Sequence, residues 1–93
     1  MKRYEIDYSP EAEAGIIKLK KAGDKQALKK LKSLIEELKI HPRKGTGKPE
    51  PLKGFNEIRW SRRITDKHRL VYDIFDQILI VEVTQTYGHY DDK

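Results

Sequence analysis

A single glutamate stands between two prolines in a stretch otherwise crowded with cations, Gly47-Lys48-Pro49-Glu50-Pro51-Leu52-Lys53. Each proline fixes its own φ, removes a backbone donor and pushes the preceding residue towards extended geometry. Glu50 is therefore expected on a stiff, non-helical backbone. Arg59, Arg62, Arg63, Lys67 and Arg69 follow, and His89-Tyr90 comes near the last residue of the sequence. A carboxylate, a group of arginines and a histidine are what acid–base cleavage of a phosphodiester requires. The same residues admit plainer roles: Glu50 as a loop carboxylate paired with Lys48 or Lys53, Arg69 as an exposed strand residue, His89 as a surface histidine.

The charge distribution favours a polyanionic partner. Residues 24–69 carry fourteen cations and six anions, whereas residues 70–93 carry one cation and five anions. Basic charge is thus gathered in the middle of the chain, where it could meet nucleic acid. The competing explanation for Lys25, Lys29, Lys30 and Lys32 is the wet face of an amphipathic helix. The chain has no cysteine, which excludes disulfide scaffolds, thiolate nucleophiles and cysteine zinc sites. His41 suits a helix C-terminus, His68 a turn, and three scattered histidines do not compose a metal site. Neither metal nor cofactor is expected. No apolar run approaches the ~18–20 residues of a membrane span, and the N-terminus has no signal-peptide core, so no membrane partner is expected and the cytoplasm is the simplest compartment.

The elements that must position these groups follow from periodicity. Tyr4, Ile6 and Tyr8 alternate with Arg3, Glu5 and Asp7 as in a half-buried strand. Ser9-Pro10 caps a helix expected to run to Ala22, bury Ile16, Ile17 and Leu19, and stop at Gly23. Asp24 caps a second helix whose Leu28, Leu31, Leu34, Ile35 and Leu38 share one face and which His41-Pro42 ends. Residues 43–53 read as a loop. Strands are expected around Ile58–Ile64, His68–Phe75 and Ile78–Thr86, the last two joined by a two-residue turn at Asp76-Gln77. That register sets Ile74 against Leu79, Tyr72 against Val81 and Leu70 against Val83, with Arg69 and Thr84 paired on the face away from the helices. The expected fold is one α+β domain over residues 1–93. It comprises an N-terminal strand and a two-helix hairpin packed on one face of a small antiparallel sheet, with the first strand inserted beside a later one.

Four strings occur in order: Gly45-Thr46-Gly47-Lys48-Pro49-Glu50-Pro51-Leu52-Lys53, Trp60-Ser61-Arg62-Arg63-Ile64-Thr65, His68-Arg69-Leu70-Val71-Tyr72 and His89-Tyr90. Together they closely resemble the Txe/YoeB toxins of the RelE/ParE toxin–antitoxin superfamily. The resemblance implies a RelE-like fold and a ribosome-dependent mRNA endoribonuclease, restrained by a cognate antitoxin. It implies catalytic roles for Glu50, Arg69, His89 and Tyr90. On that basis Glu50 is the general base, Arg69 the phosphate clamp and His89 the general acid, while Tyr90 positions or stacks on a base. Arg63 and Lys53 match positions expected to contact RNA. Lys48, Arg59 and Arg62 are carried with them as RNA-binding candidates, solvated strand positions being the open alternative for Arg59 and Arg62. Implied partners are mRNA, the ribosomal A site and the antitoxin, and a homodimer is carried as a candidate assembly. Two departures from the family pattern stand out: Gly88 precedes the histidine where several members have an arginine nearby, and Asp91-Asp92-Lys93 follows the tyrosine. Two other functions stay open, a non-catalytic superfamily member that inhibits a protein target, and a basic RNA-binding module.

Overall fold

The computed structural model describes residues 2–89. Strand β1 (Glu5–Tyr8) leads into helices α1 (Pro10–Lys21) and α2 (Lys25–Leu38). Four further strands follow: β2 (Glu50–Pro51), β3 (Arg59–Arg63), β4 (Arg69–Phe75) and β5 (Ile80–Gln85). They form one sheet in the order β1-β5-β4-β3-β2. Neighbours from β5 to β2 are antiparallel as expected, and β1 is inserted beside a later strand, β5, to which it lies parallel, so the sheet is mixed.

The helices start where their caps require. Ser9 Oγ accepts from the Ala12 N–H and Asp24 Oδ1 from the Ala27 N–H, each at 3.1 Å. Leu31, Leu34, Ile35 and Leu38 of α2 meet Leu70, Tyr72, Ile74, Val81 and Val83 of the sheet in the core. Helix α1 buries Ala12, Gly15 and Leu19, and Ile17 is 51% exposed, contrary to expectation. Small residues form this contact because α1 lies close over the end of β5, where Thr86 Oγ1 donates to the Ala12 carbonyl at 2.7 Å.

The β4–β5 connection also departs from expectation. Its loop has four residues, since Phe75 pairs with Ile80, and the register runs Ile74 to Val81 and Tyr72 to Val83. Asp76-Gln77 contains no glycine to take the positive φ values of a two-residue turn, and Leu79 instead adopts φ 54°. The Asp76 carboxylate binds elsewhere, accepting from Tyr4 Oη at 2.5 Å and from both Nη atoms of Arg43 at 3.1 and 2.6 Å. A shift of two residues preserves which side chains face the helices. The register then breaks between Val71 and Tyr72, so that Val71 faces Gln85 and Thr84 is the extra residue of a bulge. Arg69 therefore does not pair with Thr84, and its N–H reaches the Gly88 carbonyl at 2.9 Å.

A Cβ at position 15 would collide with Thr86 Oγ1 and crowd Tyr87. We therefore expect Gly15→Ala to lower the melting temperature, although alanine is the better helix former by about 1 kcal/mol. The overpacking should cost about 1–3 kcal/mol, and thermal denaturation of the two proteins measures the difference.

Candidate functional site

Glu50 belongs to a strand, not to the loop expected across residues 43–53. It pairs with Ser61, and Pro51 pairs with Trp60. Strand β2 is at the sheet edge, where a proline costs no ladder bond to a further strand. Two backbone bonds flank the pair: the Arg63 N–H donates to the Gly47 carbonyl at 2.7 Å, and the Leu52 N–H to the Arg59 carbonyl at 2.9 Å. Glu50 is thus aligned across from Ser61, and the Glu50 side chain remains 62% exposed.

Arg69 reaches this carboxylate from the next strand but one. Its Nη2 donates to Glu50 Oε1 at 3.1 Å and to Ser61 Oγ at 2.8 Å. Ser61 is fully buried and braces the guanidinium, a role that nothing in its residue type announced. Across the β3–β4 ladder Arg69 faces Arg63, whose side chain is 53% exposed and lies 3.9 Å from Asp66. Lys48 and Lys53 are exposed on either side of Glu50. Glu50, Arg69 and Arg63 therefore share the face of the sheet away from the helices, and Lys48 and Lys53 flank Glu50 in sequence.

Two of the expected RNA contacts are engaged otherwise. Arg62 is fully buried and turned towards the helices, so it is neither an RNA contact nor a solvated strand residue. All five of its N–H donors are used. Nε donates to Tyr72 Oη at 3.1 Å, Nη1 to Glu37 Oε1 and the Thr46 carbonyl at 2.8 and 3.2 Å, and Nη2 to the His41 and Lys44 carbonyls at 2.6 and 3.0 Å. Tyr72 Oη in turn donates to the Pro42 carbonyl at 2.7 Å. The segment from His41 to Thr46, leading to Glu50, is thereby tied to α2, β3 and β4. Arg59 forms a two-bond pair with Asp73 across the ladder, at 2.7 and 2.9 Å, with the Phe55 ring 4.6 Å away.

At the other end, His89 is exposed and lines a cleft with Glu11, Lys18, Thr84, Gln85 and Tyr87. It makes no hydrogen bond among the described residues, whereas Gly88 just before it is held on both backbone groups: its N–H by His68 Nδ1 at 2.9 Å and its carbonyl by the Arg69 N–H. Gly88 has φ 83°, a region in which a side chain is strained. Tyr90 lies outside the described residues. The structure brings Glu50 and Arg69 into contact and starts His89 beside the backbone of Arg69, in a cleft that residues of α1 also line.

The chain is similar in sequence and in fold to several known proteins. Residues 15–90 match a family described as the YoeB-like toxin of bacterial type II toxin–antitoxin systems. The chain is 48% identical to Toxin YoeB of Escherichia coli K12 over 58 residues, which cover 62% of this chain and 69% of that one. A YoeB/ParE toxin from Agrobacterium tumefaciens superposes with a TM-score of 0.83 at 36% identity, covering 97% of this chain and 100% of that one. The heterotetrameric YoeB-YefM toxin–antitoxin complex from Staphylococcus aureus contains a chain that superposes with a TM-score of 0.77 at 32% identity, covering 95% and 99%.

The support beneath Glu50 should depend on pH. Burial pushes the Glu37 carboxyl up, but hydrogen bonds from Thr46 and Arg62 outweigh it and hold the group below its ordinary 4.5. Hydrogen bonds from Arg43 and Tyr4 hold Asp76 below 3.8. A carboxyl depressed in the folded state contributes stability above its unfolded pKa and loses it as pH falls through the folded value. Melting temperature should therefore fall as pH drops from about 5 towards 3. Glu37→Gln should show a shallower fall in the same titration. Arg62→Met, which leaves Glu37 without its buried cation, should cost about 3–5 kcal/mol in denaturant unfolding.

Proposed function

Because the chain belongs to the YoeB-like toxins of bacterial type II toxin–antitoxin systems, we propose that the surface around Glu50 and Arg69 cleaves RNA without a metal ion. The observation that carries this reading is the 3.1 Å contact between Glu50 Oε1 and Arg69 Nη2, with Arg63 across the ladder from Arg69 and exposed Lys48 and Lys53 flanking Glu50 in sequence. An exposed ion pair of this kind is weak. A phosphodiester can replace Glu50 as the partner of Arg69 and leave the carboxylate free beside it.

RNA carries its own nucleophile. Glu50 takes the proton of a 2′-OH, whose oxygen attacks the adjacent phosphorus. Arg69, held by Ser61, stabilises the charge that builds on the phosphorane oxygens. The bond from phosphorus to the 5′ oxygen breaks, and His89 supplies the proton that this leaving oxygen takes up. Tyr90 positions or stacks on a base next to the scissile bond. Lys48, Lys53 and Arg63 bind flanking phosphates, a role from which Arg62 is excluded by burial.

His89 lines a cleft with Glu11 and Lys18 of α1, and in this reading it swings from there to reach the leaving oxygen. The bound substrate supplies that rearrangement on this proposal. Messenger RNA placed in the ribosomal A site is the substrate we infer, since an enzyme with so few groups gains most when its substrate is positioned for it. The partner that restrains it is an antitoxin whose acidic segment covers the same cations, by analogy with the YoeB-YefM complex.

Arg69→Ala should lower cleavage by about 10²-fold or more while the protein stays folded. Products should carry a 5′-hydroxyl and a 2′,3′-cyclic phosphate, or the 3′-phosphate formed from it. A 2′-deoxy nucleotide at the scissile position should block the reaction. Full activity of Arg69→Ala on ribosome-bound mRNA, or 5′-phosphate ends, would sink this mechanism.

A further inference from the structure

The His68 imidazole is 8% exposed and takes no part in the chemistry above. Its Nδ1 accepts the Gly88 N–H at 2.9 Å. A ring nitrogen that accepts from a backbone amide carries no proton, so the ring proton is on Nε2 in the neutral form. That edge faces Asp24 Oδ2 at 3.9 Å, at the cap of α2. The Tyr87 ring lies against His68 with centroids 4.5 Å apart, and Lys18 Nζ is 5.3 Å from the centre of Tyr87. The imidazole is therefore fixed in plane and in tautomer by the cap of α2 and by Tyr87 and Gly88 together.

We propose that His68 is a positioning residue for cleavage: its Nδ1 fastens Gly88 and so sets where His89 leaves the sheet. The role rests on the nuclease reading of Glu50, Arg69 and His89. His68 and Arg69 are adjacent in sequence and divide the task. The His68 side chain takes the Gly88 N–H, and the Arg69 N–H donates to the Gly88 carbonyl, which also accepts from Gln85 Nε2 at 3.2 Å. With both backbone groups of Gly88 bound at φ 83°, the swing of His89 begins from a fixed pivot. The start of β4 thus delivers the phosphate clamp through a side chain and the proton donor through a neighbouring backbone.

Two variants of the full chain test this, His68→Leu, which removes the acceptor, and His68→Asn, which sets an amide oxygen close to where Nδ1 lies. Each is assayed on ribosome-bound mRNA for kcat and KM, and by ¹⁵N NMR for the Gly88 amide. His68→Leu should lose about 10²-fold in kcat with KM little changed, as expected for a displaced proton donor. The Gly88 amide should move upfield in that variant, and His68→Asn should recover most of both losses. Wild-type kcat in folded His68→Leu overturns the role, and so does an equal loss of rate in both variants. Where His68→Leu does not fold, the wild-type imidazole spectrum decides: an Nε2–H tautomer coupled to the Gly88 amide supports the proposal, and an Nδ1–H tautomer overturns it. Wild-type protein that does not cut mRNA overturns the nuclease reading itself, His89→Gln that cuts as wild type overturns His89 as the proton donor, and the role of His68 falls with either. Loss of activity in His89→Gln beside full activity in His68→Leu overturns the role of His68 alone.

Discussion

The buried guanidinium of Arg62 is the constraint on which the rest depends. A charge taken out of water is costly unless it is paired and all its donors are met. Arg62 satisfies that condition with one carboxylate, one phenol and three backbone carbonyls, drawn from the end of α2, from β4 and from the chain between His41 and Thr46. Those carbonyls belong to a segment without helix or strand, and the arginine gives it a conformation. The segment then meets β3 through the Gly47 carbonyl and continues into β2. Side chains alternate along a strand, so an inward Arg62 obliges Ser61 and Arg63 to point outward. Glu50 lies opposite Ser61, and Arg69 opposite Arg63. The proposed catalytic pair is thus on the open face because a different arginine is on the closed one.

Arginine serves three distinct physical purposes within a few residues. Arg62 is structural and dry, Arg59 closes a ladder pair with Asp73, and Arg63 and Arg69 keep their heads at the surface. The basic middle of the chain is therefore less basic towards a ligand than its composition suggests. Of the cations that remain exposed, Lys48 and Lys53 flank Glu50 in sequence and Arg63 faces Arg69 across the ladder, while lysines of α2 such as Lys25, Lys29 and Lys32 lie on its wet face.

Much of the fold was legible. The Ser9 and Asp24 caps, the apolar face of α2 and the alternation of β4 and β5 are local signals, and each element formed within a few residues of its expected place. The apolar sheet face also survived a register error, since a slip of two residues changes partners without changing faces. Tertiary contacts decided the rest. Ile17 is exposed because α1 presses on β5 through Ala12 and Gly15, a closeness that helical periodicity does not encode. The turn at Asp76 differs from the two-residue form because its carboxylate binds Arg43 and Tyr4, both far away in sequence. Glu50, Arg69 and their neighbours were legible mainly through the family strings, and no local rule separates Arg62 from Arg63.

The bulge at Thr84 links these two kinds of information. An uninterrupted ladder would have continued β5 alongside β4 and set residue 86 across from Arg69. The extra residue turns the chain, so that Thr86 caps the Ala12 carbonyl beneath α1 and Gly88 arrives at the Arg69 backbone. Gly88 can occupy φ 83° there without strain, which a residue with a side chain could not do as easily. Its presence thus fits a local need of this chain: the end of β5 must pass under α1 and still return to the start of β4. This glycine is held at both its N–H and its carbonyl. Freedom at this residue type has been converted by hydrogen bonding into a defined direction for the histidine that follows.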